Sequence, residues 1–91
     1  MYHVNMQLRW NPEKNEILKA IRNVSFEQVA EIVEKSDFIG PEINPAREGQ
    51  MRIIVQIDGY PCVVPFVETD DGGWFLKTIY PCRKMKGRMQ K

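Results

Sequence analysis

Apolar and polar residues alternate at the start of the chain, Val4, Met6, Leu8 and Trp10 against Asn5, Gln7 and Arg9. A period of two is that of a strand with one face on a core. The period then lengthens. Asn11 suits a helix N-cap and Pro12 the first helical position, where its missing N–H costs nothing. Ile17, Leu18 and Ile21 predict the apolar stripe of a helix from Pro12 to Arg22. Glu13, Lys14, Glu16, Lys19 and Arg22 take its other side, acids before bases as the helix dipole prefers. A second helix over residues 26–35 has the clearest start: Ser25 and Gln28 can form a capping box, and Val24 and Val29 a hydrophobic staple. Its apolar side is Phe26, Val29, Ala30, Ile32 and Val33. Only Asn23 and Val24 separate the two helices, so the chain turns back sharply there.

Residues 37–50, DFIGPEINPAREGQ, show no sustained period and hold two glycines and two prolines, so they read as one long surface loop. Residues 51–57 and 60–67 then read as two strands joined by Asp58-Gly59, a two-residue hairpin signal. Such a turn pairs Ile57 with Tyr60, Val55 with Cys62 and Ile53 with Val64 on one face, and sets Arg52 near Pro65 on the other. Pro61 and Pro65 withhold N–H groups on the side away from the hairpin partner, so that side must be an edge, a bulge or loose pairing. An acidic, glycine-rich loop over residues 68–73 leads to a last strand, residues 74–80. Its register decides the face of Lys77. A lone lysine is costly in an apolar face, which favours the register that puts Lys77 with Arg52.

The outline is an α+β domain, β-α-α-β-β-β, with two N-terminal helices packed on one face of a mainly antiparallel four-stranded sheet. Ninety-one residues with 43% hydrophobic content suit one such domain and not two. The opening MYHVNMQLRW lacks a signal-peptide pattern and no apolar run approaches a membrane span, so a soluble cytoplasmic protein is expected. Cys62, Cys82 and the single His3 have no metal-ligand spacing, and no metal or other cofactor is expected. The two cysteines read as a small buried residue and an incidental thiol.

Charge changes this picture. Residues 83–91, RKMKGRMQK, hold Arg83, Lys84, Lys86, Arg88 and Lys91 and no acid, so the tail carries +5 while the rest of the chain carries −4. A charge run is most often a solvated tail. Fed by a strand and continuous with a face holding Arg52 and Lys77, it also has the composition of a phosphate-binding surface.

Four segments in order, RWNPEKN, NVSFEQVAEIV, MRIIVQIDGYPCVVPFV and FLKTIYPCRK, resemble the BrnT family of toxins from type II toxin-antitoxin operons. The likeness covers residues 7–86. It implies a single RelE-like toxin domain over residues 1–91, a metal-independent ribonuclease that cuts RNA and inhibits translation. It also implies a cognate antitoxin, a small DNA-binding protein encoded by an adjacent gene. Trp10, Asn11 and Lys14 stand in the family's Trp-Asp-Pro-x-Lys opening, with Asn11 for the usual Asp. Arg52 stands at the family's arginine in the first hairpin strand, and Arg83 and Lys84 in its terminal Arg-Lys turn, where Cys82 replaces a common serine. Many members carry an aromatic near the extreme end; GRMQK has none.

Metal-free cleavage makes the ribose 2′-OH attack its own phosphorus, so a site must take a proton, hold charge on phosphate oxygens and protonate the leaving 5′-oxygen. Arg52 and Arg83 suit a bidentate phosphate clamp, and Lys77 or Lys84 a proton carrier. Lys14, Lys86, Arg88 and Trp10 complete the expected RNA contacts, with RNA free or on the ribosome as substrate. Plainer roles are open for each: an ion pair with a loop acid for Arg52, a solvated strand position for Lys77, a helix-surface ion pair for Lys14, a core or rim position for Trp10. A non-catalytic RNA- or protein-binding module, a degenerate toxin, fits the same charge pattern.

Overall fold

Two side chains start the two helices as their positions predict. The structure, a computed structural model, describes residues 7–89. Asn11 accepts the backbone N–H groups of Glu13 and Lys14, opening α1 (Pro12–Arg22). Ser25 accepts the N–H of Gln28 while Gln28 Oε1 accepts that of Ser25, the reciprocal capping box that opens α2 (Phe26–Glu34). Between them Asn23 takes a left-handed conformation, a residue type that tolerates it, and ends α1. Before them β1 (Leu8–Trp10) is the described part of the expected first strand; Val4 and Met6 lie outside the described residues.

Among the described residues the sheet has six strands, not four. Residues 37–50 are no simple loop, because they contain β2 (Ile39–Ile43), which pairs antiparallel with β3 (Met51–Ile57). The rest of that stretch is shaped by Asn44, which is buried: its Oδ1 accepts the Ala46 N–H and its backbone N–H donates to the Gln50 carbonyl. β3 and β4 (Tyr60–Glu68) form the expected hairpin, Ile57 opposite Tyr60 and Arg52 opposite Pro65, with Asp58 and Gly59 both at positive φ. β5 (Trp74–Leu76) pairs antiparallel with β4 and parallel with β1, giving the order β1-β5-β4-β3-β2. β6 (Tyr80–Pro81) continues along β4 beyond β5.

Two bulges set which side chains face where. Gly40 and Pro41 lie opposite Ile53 alone, so Glu42 rather than Pro41 faces Arg52. Gly40 fits this bend because its φ is +108° and a Cβ there would lie 3.0 Å from the Arg52 carbonyl oxygen. On the other side of the hairpin, Lys77, Thr78 and Ile79 lie opposite Val64 and Pro65. This bulge includes Pro65, and the missing donors of Pro61 and Pro65 leave that edge of β4 short of ladder bonds. Their carbonyls still accept, from Cys82 and Lys77 respectively. The extra residue turns Ile79 into the core while Lys77 stays on the opposite face.

The core lies between the helices and one face of the sheet. Leu18, Phe26 and Val29 pack there on Ile53, Val55, Val64, Phe66, Trp74, Leu76 and Ile79. Phe66 stacks on Trp74 with ring centroids 4.1 Å apart, and Trp10 on Phe26 at 5.5 Å. The expected stripe of α1 is only partly right: Leu18 is buried, but Ile17 and Ile21 are 51% and 67% exposed. The cause is Asn15, itself buried, whose Oδ1 accepts the N–H of Phe26 and whose Nδ2 donates to Glu27. Docking Asn15 onto the start of α2 turns the Asn15–Leu18 side of α1 inward and the Ile17–Ile21 side out.

Candidate nucleic-acid interface

The face of the sheet away from the helices carries the residues that the hairpin register sends there. Arg52, Ile54 and Gln56 project from β3, and Pro61, Val63, Pro65 and Val67 from β4. Phe75 lies opposite Val67 and beside Arg9, and Tyr80 opposite Val63, so both rings and Arg9 share this face. The Lys77 N–H donates to the Pro65 carbonyl, and Pro65 lies opposite Arg52. Lys77 and Arg52 therefore flank Pro65 on one face, two strand spacings or roughly 10 Å apart at the backbone. Lys77 holds its ammonium 5.3 Å from the Phe75 ring centre, a cation–π contact.

Residues 83–89, the described part of the basic tail, are not a loose extension. Arg83–Met85 form a 3₁₀ turn and Lys86–Met89 a short helix, α3, and both pack against β4. Met85 and Met89 are half-buried, Arg83, Lys84 and Lys86 are exposed, and Lys91 lies outside the described residues. The second face is thereby closed at its centre, where Ile54 and Val63 are fully buried.

Arg88 of α3 reaches Glu42 of β2, donating from Nη1 at 3.0 Å and from Nη2 at 2.9 Å. Glu42 also accepts from Arg52, at 2.7 Å from Nε and 2.6 Å from Nη2. One carboxylate thus lies between two guanidiniums. The hydrogen bonds from Arg88, then those from Arg52, hold its pKa down at about 2 against a partial rise from burial. The Arg88 guanidinium is correspondingly raised by Glu42. Arg52, whose side chain is 13% exposed, is the ion-paired strand residue that was one of its two readings. The acid comes from the stretch expected to be a loop.

A lesser pair sits at the β1 edge, where Arg9 contacts Asp71 at 2.5 Å. Asp71 also accepts from Thr69 and the Gly73 N–H, and these bonds, the Thr69 contact foremost, hold its carboxyl down at about 2.

Two of the expected RNA contacts do not join this face. Trp10 packs on the core against Phe26, so its ring is spent on the fold, and Lys14 belongs to α1 on the helix side. The family-like opening that carries them is a strand end and a helix cap here. Phe75, Tyr80 and Glu42 were missed. The alternation of Phe75 with Lys77 was the available signal for the first; nothing local marks Glu42.

A cleft of about 320 Å³ lies elsewhere. It opens between the turn joining α1 to α2 and the hairpin end, with Arg22, Val24, Tyr60, Cys62 and Ile79 in its walls. Arg22 closes part of it by donating to the Ile79 carbonyl at 2.7 Å. Burial pushes the Cys62 thiol up, away from the thiolate that a nucleophile needs. Cys62 and Cys82 are both free. Among the described residues no three His, Cys, Asp or Glu side chains gather as a metal-ligand set, and no helix is long and apolar enough to cross a membrane.

Compared with known proteins, the chain matches no family model, no curated protein and no solved structure. The likeness to BrnT toxins rests on its four sequence segments alone.

Proposed function

We propose that this chain is a RelE-like toxin of a type II toxin-antitoxin pair, a cytoplasmic ribonuclease that cuts RNA on the second face of its sheet without a metal. The observation that carries the reading is the placement of Arg52 and Lys77 on one face, across Pro65, with the Arg83-Lys84 turn packed on the same strand. Arg52 and Arg83 hold the scissile phosphate and meet the charge that grows on its oxygens as the 2′-OH attacks. One of Lys77 and Lys84 takes the proton released by the attacking 2′-OH, and the other gives a proton to the departing 5′-oxygen. Phe75 and Tyr80 supply the rings that the sequence lacks at its extreme end, and base stacking on such rings is worth about 1–3 kcal/mol per base. A cognate antitoxin from the adjacent gene, carrying acids toward this face, is the partner.

The pairing of Arg52 with Glu42 favours a second reading, a binding module that holds RNA and cuts nothing. Single-turnover cleavage at saturating protein separates the two. An enzyme cuts RNA in EDTA, leaves DNA intact for want of the 2′-OH, and forms 2′,3′-cyclic phosphate ends. Arg52→Ala and Arg83→Ala each slow it by roughly 10²-fold, the usual loss for one oxyanion donor. Folded wild-type protein that cuts nothing, with or without ribosomes, leaves the binding module.

A further inference from the structure

Glu42 presents two carboxylate oxygens to two guanidiniums from distant parts of the chain, Arg52 in β3 and Arg88 in α3. Arg88 spans both oxygens in a bidentate contact while Arg52 brings Nε and Nη2 to Oε2 alone, and two guanidiniums converging on one anion is an arrangement with which arginine takes a phosphate. A bulge built on Gly40 and Pro41 is spent on bringing this one acid opposite Arg52. Regular pairing would have put Pro41 there. Surroundings matter as well: Lys77 lies across Pro65 from Arg52, so the locality is cationic apart from Glu42.

Resting on the reading of the second face as an RNA surface, we infer that Arg52 and Arg88 form a phosphate site which Glu42 fills in the free protein, and that a phosphodiester of the bound RNA displaces it. Glu42 is then an internal stand-in for the ligand. It keeps Arg52 from the solvent anions that a bare cationic face would collect, and it fastens α3 across the sheet until RNA arrives. Binding exchanges one set of charge-assisted bonds for another, so the cost of freeing the two arginines appears as weakened affinity. Arg88 changes partner and carries α3 with it; no covalent step is involved.

The test removes the carboxylate charge and keeps its shape. Glu42→Gln is compared with wild type and with Glu48→Gln, an exposed acid in the turn after β2 that controls for the change of one charge. The probes are a 2′-O-methyl RNA oligonucleotide, which has no 2′-OH to react, and inorganic pyrophosphate. Glu42→Gln is expected to bind both at least about tenfold tighter than Glu48→Gln does, the gain a masked site shows when its competitor is removed. Adding Arg52→Ala or Arg88→Ala to Glu42→Gln should erase the gain. A folded Glu42→Gln protein that binds neither probe more tightly overturns the inference. Tightening for pyrophosphate alone keeps the anion site and removes the RNA reading; cleavage by wild type without any tightening keeps the RNA reading and removes the masking role. Should Glu42→Gln not fold, the Arg52 Nε–H resonance of wild type is followed during a pyrophosphate titration. Displacement of Glu42 must shift that signal, and an unmoved signal at saturation is the contrary result.

Discussion

The two faces of the sheet are closed in different ways. One is covered by two capped helices, and its contacts are apolar: Leu18, Phe26 and Val29 on the alternate residues of β3 and β4, with Trp10 and Trp74 at the β1 side. The other is covered by a short basic tail and fastened by a carboxylate between two arginines. Apolar burial is non-directional and stabilises in proportion to area, whereas an ion pair with part of its surface in water contributes little net stability. The helix face therefore holds the fold together. The tail face is the one where we propose that a ligand takes the place of the cover.

If that contrast is right, the largest loss of stability comes from the helix face. Phe26 is fully buried and stacked on Trp10, so Phe26→Ala should cost about 3–5 kcal/mol, read as a lower denaturant midpoint. A loss as small as that of a surface substitution would break the comparison. Gly40→Ala comes next, because the left-handed backbone and the 3.0 Å approach to the Arg52 carbonyl leave no room for a methyl group. Strain of this kind costs about 1–3 kcal/mol, and thermal melting should show it together with altered chemical shifts at Arg52.

On the tail face Glu42→Gln should cost only about 1 kcal/mol at neutral pH, as expected for partly solvated charged bonds. Its sharper signature is in acid. A folded-state pKa of about 2, below the ordinary 4.5, means that Glu42 stabilises the protein fully above its unfolded-state value and that this contribution is lost as pH falls toward 2. Urea titrations between about pH 5 and pH 2 should therefore show wild type losing its advantage over Glu42→Gln. An advantage that persists unchanged to the bottom of that range contradicts the ion triad. Ser25→Ala, which removes one half of the capping box, should cost about 1 kcal/mol with no such pH dependence.

Local chemistry made much of the fold legible. Asn11 and Ser25 marked the helix starts, Asp58-Gly59 the hairpin, and the two prolines the side of β4 where pairing is interrupted. The register of β5 followed from the cost of burying Lys77. What stayed hidden depends on contacts between distant segments. β2 is masked by the bulge at Gly40 and Pro41, which breaks the alternation that would announce a strand. The rotation of α1 is set by Asn15 against Phe26, eleven residues on, and no helical period within α1 carries it. At the candidate site, Arg52 and Lys77 were found on the expected face, while Trp10 and Lys14 were drawn from a family-like opening whose residues serve the helix side. Glu42 was invisible because an acid among glycine and prolines looks like any loop residue until the strand opposite it is known.

The most direct measurement is a map of where RNA touches the folded chain. Titrating isotope-labelled protein with a 2′-O-methyl RNA oligonucleotide and following backbone and arginine side-chain resonances places the ligand on one face or the other. The account predicts shifts at Arg52, Phe75, Lys77, Arg83, Lys84 and Arg88, with α1 and the cleft beside Arg22 unchanged. Shifts confined to Ile17, Ile21 and Arg22, or none at saturating RNA, would contradict it.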